Sequence, residues 1–204
     1  MHFADGKMVC LLVDWIKLIK GPCDCSLCKP CKIGRECIRY TARQHHMGER
    51  RLIIISAMSS DRVIGSGDGM PWNVPEEYKQ FLRYVDGQVV IMGRRSFEIF
   101  GADLLHTTNV VVSRSATEIE GARVCSTVQE AISLAGGFGK TVFSAGGATI
   151  YEQTLPLASD MYLSFMKGHF TGDTYFPRFD ARAWEVVQKR DHKAFEFIHY
   201  RRVV

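Results

Sequence analysis

The stretch GDGMPWNVPEEYKQF, residues 67–81, sets a carboxylate and an aromatic ring one helical turn apart, at Glu77 and Phe81. Proline suits the first turn of a helix, and Glu76 and Glu77 complement its positive end, so a helix is expected to open near Pro75. Spacing by four then puts Glu77, Phe81 and Val85 on one face. The acid is either a solvated dipole complement or a carboxylate aimed into an apolar pocket. Spacing alone favours the first reading, but the company Glu77 keeps favours the second. A Gly-rich loop and the Met70-Pro71-Trp72 corner precede it, and three other strand ends carry glycine, hydroxyl or guanidinium groups. These are Gly93-Arg94-Arg95-Ser96, Ser113-Arg114-Ser115 and Gly146-Gly147-Ala148-Thr149. Strand ends that open into helix N-termini are where α/β sheets bind anionic, phosphate-bearing ligands.

A second candidate chemistry lies in the first fifty residues. Cys23, Cys25, Cys28, Cys31 and Cys37 follow one another at gaps of one, two, two and five residues, with His45 and His46 downstream. In a reducing cell, Cys23, Cys25, Cys28 and Cys31 suit tetrahedral zinc ligation more than disulfides. No familiar two-knuckle spacing is present, so two alternatives stay open: a basic extension with free thiols, or upstream sequence before a start at Met47. A zinc-dependent nucleic-acid or partner-binding module is a further reading of this region, although nucleic acid is not the expected partner. Residues 1–51 hold ten Lys/Arg against five Asp/Glu, whereas 52–204 are left at −1. A boundary near Gly48 is therefore expected, between a basic, cysteine-rich extension (1–49) and a main body (50–204).

The elements that must position these groups follow from pattern. LIIISAM (52–58) and QVVIMG (88–93) are apolar runs typical of strands buried on both faces. RRSFEIF (94–100) reads as a helix, and NVVVS (109–113) and ARVC (122–125) as strands. TVQEAISLA (127–135) has an amphipathic stripe, TVFSA (141–145) is a strand, and ATIYEQTL a helix. MYLSFM, WEVVQKR and FEFIHYRRV close the chain as β segments. Such alternation with an antiparallel finish predicts a mixed α/β sheet with helices on both faces. GSGDGM (65–70) and GGFGKT (136–141) look like nucleotide-binding loops but lack the required spacing and context, and read as turns. No apolar run approaches a membrane span and the N-terminus makes no convincing signal peptide, so a cytoplasmic location without membrane partners is expected.

In this order, DRVIGSGDGMPWNVPEEYKQF, VVIMGRRSFE, NVVVSRS, GGATIYEQTLP, MYLSF and GDTYFP resemble the successive motifs of dihydrofolate reductases, over essentially all of 52–204. The resemblance implies a mixed, mostly parallel sheet with antiparallel C-terminal strands. It implies NADPH-dependent reduction of 7,8-dihydrofolate to tetrahydrofolate, with hydride to C6 and a proton to N5. By the same resemblance, Glu77 is the single acid of the pterin pocket, and Ser164 supplies a hydroxyl to it. Ile55, Ala57, Phe81 and Phe100 form apolar walls, with Leu104 and Tyr162 also on the substrate side. Residues 65–73 match a mobile loop in which Met70 and Trp72 control water, and Asp173 matches a residue that hydrogen-bonds that loop when closed. Read without the resemblance, Asp173 is a turn residue.

For the cofactor, the resemblance implies that Gly93, Arg94, Arg95, Ser96, Ser113, Arg114 and Ser115 grip pyrophosphate and the 2′-phosphate. Guanidinium forks and hydroxyls suit a phosphomonoester, favouring NADPH over NADH. Ala57, Ile64 and Gly65 would also bind the cofactor, as would the segment Ala145, Gly146, Gly147, Ala148, Thr149, Ile150 and Tyr151, with the Gly146-Gly147 pair beside the nicotinamide and pyrophosphate. One departure stands out. Thr107 occupies the position where the family usually has an arginine for the glutamate tail, and no arginine lies between Arg95 and Arg114. His106 or Arg83 is then expected to compensate, or the substrate to lack that glutamate. A same-fold reductase of another pterin or a pyrimidine is the alternative enzyme reading. A monomer is expected, unless the extension mediates association.

Overall fold

The computed structural model describes residues 51–203 apart from Asp68. The expected cysteine-rich extension, with Cys23, Cys25, Cys28 and Cys31, lies outside the described residues. Strand β1 (Leu52–Ser59) buries every residue, as a strand covered on both faces must. After the short β2 (Val63–Gly65) come α1 (Pro75–Val85), β3 (Val89–Gly93) and α2 (Arg94–Phe100). Then follow β4 (Thr108–Val112), β5 (Arg123–Cys125), α3 (Val128–Gly136), β6 (Val142–Ser144) and α4 (Ala148–Thr154). The chain closes with β7 (Asp160–Met166), β8 (Thr174–Tyr175), β9 (Trp184–Asp191) and β10 (Phe195–Arg202).

The main sheet has eight strands in the order β5-β4-β3-β6-β1-β7-β10-β9. From β5 to β7 all neighbours run parallel, and β10 pairs antiparallel with both β7 and β9. Successive strand residues point to opposite faces, and this sorts two cores. On one face Leu52, Val89, Ile91 and Val110 meet Val128, Ala131 and Ala135 of α3 and Ile150 of α4. On the other, Ile53, Ile55, Val90 and Met92 meet Val85 of α1 and Phe97 of α2. This is the mixed architecture expected from the sequence.

The two-stranded ribbon of β2 and β8 was not expected. Strands of three and two residues are too short to show a period of two. The ribbon depends instead on close backbone approach at Gly172, where an added Cβ would lie 2.2 Å from the Gly65 carbonyl oxygen. That oxygen also accepts from the backbone N–H of Asp173.

At the end of the sheet where the parallel strands begin, Asp160 is almost fully buried and accepts hydrogen bonds from four side-chain atoms. Arg51 donates Nε and Nη2 at 3.2 and 2.6 Å, the Ser159 hydroxyl donates at 2.8 Å, and His199 Nε2 lies at 2.7 Å. Burial alone would raise the carboxyl, but Arg51, His199 and Ser159 outweigh it and hold the pKa at about 2, below the 3.8 of an ordinary aspartate. A depressed carboxylate pKa adds stability that is complete above the unfolded value and lost as pH falls through the folded one. Stability should therefore decline by roughly 2 kcal/mol between pH 4 and pH 2 on account of this group. Urea melts across that range should show the decline, and Asp160→Asn should flatten it while costing stability at neutral pH.

Candidate active site

Helix α1 opens at Pro75 with no side-chain cap, and its first-turn acids diverge. Glu76 is exposed and meets His192 Nδ1 at 2.8 Å, whereas Glu77 is only 8 % exposed. Glu77 faces a cleft at the C-terminal ends of the parallel strands, bordered by Ile55 and Ala57 of β1 and by Phe81 and Phe100 of α1 and α2. Burial pushes its carboxyl up, and the Ser164 hydroxyl pulls weakly the other way. Ser164 reaches this place because β7 lies in register with β1, with Ser164 opposite Ala57. The acid is thus the pocket carboxylate rather than a solvated dipole complement.

The cleft, about 590 Å³ with its open mouth, has an aromatic end. Tyr78 stacks with Phe81 at 5.9 Å between centroids and tilts against Phe100 at 6.1 Å. Its hydroxyl donates to Asp103 at 2.7 Å, tying α1 to the turn after α2. Sequence reasoning missed Tyr78. The available signal was its three-residue spacing from Phe81, which places both rings on one side of a helix.

The opposite end is built on the strand-to-helix turn between β6 and α4. Gly146 has φ +92°, and an added Cβ would lie 2.8 Å from the Tyr151 ring, so both conformation and space require glycine there. The Gly146–Gly147 peptide bond is cis, and the Gly146 carbonyl accepts from the Gly93 N–H at 2.7 Å. Tyr151 is buried and donates its hydroxyl to the Ile55 carbonyl at 2.8 Å. Ser96, Ala145, Ile64 and Met70 complete this end of the lining.

The loop after β2 is held from two sides. Asp173 Oδ2 accepts from the Gly67 N–H at 3.2 Å, and Arg95 Nη2 donates to the Gly67 carbonyl at 2.8 Å. Asp173 therefore bonds the loop and is more than a turn residue. Trp72 does not border the cleft; it packs edge-on to Phe170 at 5.1 Å, against the cluster around Ala57 and Met166.

The remaining expected residues lie further out. Arg94 pairs with Glu98 at 2.6 Å on the surface of α2. The Ser113 hydroxyl accepts from the N–H groups of Ser115 and Ala116, shaping the turn that presents the exposed Arg114 and Ser115. Leu104 is buried in the α1–α2 core, and Tyr162 packs against Tyr84 at 4.9 Å, so neither borders the cleft itself. Thr107 donates to the Leu104 carbonyl at 2.9 Å and lies 2.6 Å from Asn109 Oδ1, in a groove shared with Arg83 and His106. Among the described residues no group of three or more His, Cys, Asp or Glu side chains could hold a metal ion. Nor is any described helix long and apolar enough to cross a membrane.

A family model described as dihydrofolate reductase matches residues 51–202. The chain belongs to the dihydrofolate reductase family. It is 38 % identical over 138 residues to dihydrofolate reductase type A13 of Escherichia coli, covering 67 % of this chain and 84 % of that one. It is 32 % identical over 154 residues to the dihydrofolate reductase of Bacillus subtilis, covering 72 % and 91 %. Among solved structures, dihydrofolate reductase from Enterococcus faecalis, complexed with NADP(H) and RAB-propyl, superposes with a TM-score of 0.70 at 27 % identity. That match covers 76 % of this chain and 98 % of the other. The sheet order and the cleft at the strand ends are thus the family's fold on this sequence.

Proposed function

We propose that the cleft reduces 7,8-dihydrofolate to tetrahydrofolate with NADPH, and that Glu77 is the acid that orients the pterin. The observation that carries this reading is a single buried carboxylate between an aromatic wall and a glycine turn. Glu77 would accept paired hydrogen bonds from the pterin 2-amino group and the adjacent ring N–H. Such a buried carboxylate, whose pKa burial raises, would favour protonation of the pterin at N5. NADPH supplies the hydride that C6 receives. Ile55, Ala57, Phe81 and Phe100 hold the ring system, and Met70 with the Gly67 loop excludes water. The donor set at the other end fits a phosphorylated dinucleotide: Ser96 and the glycine turn border the cleft, and Arg94, Arg95 and Arg114 stand at adjoining strand ends. NADPH oxidation measured with dihydrofolate tests the assignment, and no turnover would overturn it.

The same-fold alternative, a substrate without a glutamate tail, is favoured by one observation. Thr107 spends its hydroxyl on Leu104 and Asn109 and offers no charge. The protein should therefore discriminate weakly between dihydrofolate and a truncated dihydropterin. Thr107→Arg should lower the Michaelis constant for dihydrofolate about tenfold, about 1–2 kcal/mol for a partly exposed charge-assisted pair, and leave the truncated substrate unaffected. Equal improvement of both substrates would rule this out. Zinc ligation by Cys23, Cys25, Cys28 and Cys31 in a separate extension of residues 1–49 is a proposal resting on spacing alone. Metal content of the full chain, compared with a variant carrying serine at all four positions, tests it.

A further inference from the structure

Helix α1 carries a second polar constellation on the flank next to the one that borders the cleft. Gln80 is only 5 % exposed, yet its amide makes no hydrogen bond within the described residues. It lines a surface groove of about 540 Å³, open mouth included, with Arg83, Tyr84 and Arg190. The only fully buried side-chain atom without a partner among the described residues is His192 Nε2, so the Gln80 amide keeps its access to solvent at the groove, where it is free to donate to a ligand.

The two arginines sharpen the point. Arg190, on the edge strand β9, is held in place: its guanidinium lies 4.7 Å over the Phe197 ring and donates to the Tyr84 hydroxyl. Neither Arg190 nor Arg83 has a carboxylate partner among the described residues. Because the Tyr84 oxygen accepts from Arg190, its own O–H remains to donate. Two guanidinium groups, an amide NH₂ and a phenol therefore line one groove with no acid among them. A carboxylate would use a single fork, whereas a dianion matches both cations. Stacking has already immobilised Arg190, which lowers the ordering cost of binding.

We propose that this groove binds a phosphate-type oxyanion between Arg83 and Arg190, with Gln80 at its floor. The site is separate from the cleft, whose lining includes none of these four residues. The test is calorimetric titration of the full-length protein with inorganic phosphate, at ionic strength fixed by potassium chloride, with and without saturating NADPH and dihydrofolate. The expected result is one saturable site that persists when the cleft is filled. Its affinity should fall about tenfold in R83Q and again in R190Q, as the loss of a charge-assisted hydrogen bond implies. Q80L should weaken it less, and acetate at equal concentration should compete poorly. Arg83 is exposed, so R83Q keeps the test readable if R190Q disturbs the fold. Absence of saturable heat, equal affinity in R83Q and the parent, or loss of the signal with NADPH present would each overturn the proposal. The last outcome would mean that phosphate was occupying the cofactor's own anion sites.

Discussion

Glu77→Gln should leave a folded protein whose turnover of dihydrofolate at neutral pH is reduced about 10²–10³-fold, within the range of general acid–base contributions. The amide keeps the size and one acceptor oxygen but cannot favour the protonated pterin. The deficit should shrink on acidification, because substrate already protonated in solution needs less help. Stability should move the other way. Burial raises the folded pKa of Glu77, so its ionised form opposes folding once pH exceeds the unfolded value of 4.5. The variant should therefore melt no lower than the parent at pH 7. Steady-state rates between pH 5 and pH 8, with thermal melts alongside, check both halves. Unchanged turnover at neutral pH would remove Glu77 from the mechanism.

Neutralising Arg95 and Arg114 together should erase most of the preference for NADPH over NADH. Each charge-assisted pair to a phosphomonoester is worth about 1.5–3 kcal/mol, so the ratio of kcat/KM values should change by 10² or more. The two arginines should not behave alike. Arg114 stands exposed on the turn shaped by Ser113 and should affect only the cofactor carrying the 2′-phosphate. Arg95 also donates to the Gly67 carbonyl, so Arg95→Gln should weaken use of both cofactors by loosening the loop. Single and double variants assayed with both cofactors separate these effects. A parent that uses NADH and NADPH equally would contradict the assignment of the phosphate site.

How much of this could be read from the sequence depended on how local each signal was. The continuous apolar runs of β1 and β3 and the helix opening at Pro75 are written in consecutive residues, and the structure has them within a residue or two. Glu77 was ambiguous, because a first-turn acid satisfies the helix dipole whether or not a sheet lies beneath it. Only the β1–β7 register, which brings Ser164 opposite Ala57 from 107 residues away, made it a pocket acid. Asp173 is a similar case: a turn residue by sequence, and a partner of Gly67 once β2 and β8 pair. Tyr78 was passed over because nothing beside it in sequence announces Phe100 or Asp103. The motif of Trp72 points to the cleft loop and to control of water, whereas its ring packs on Phe170 and stays out of the cleft lining, a long-range contact that its neighbours in sequence do not announce.

Tyr151 sets a dimension of the whole cleft. Its ring occupies the space that a side chain at position 146 would need, and its hydroxyl is hooked to the carbonyl of Ile55. One end of this rod bears on the glycine turn and the other on the central strand, and an aromatic ring does not compress. The gap between the wall proposed for the pterin and the turn proposed for the nicotinamide is thus spanned by one rigid ring inside the core. The distance proposed for hydride transfer would then be set by the core rather than by the position of the Gly67 loop.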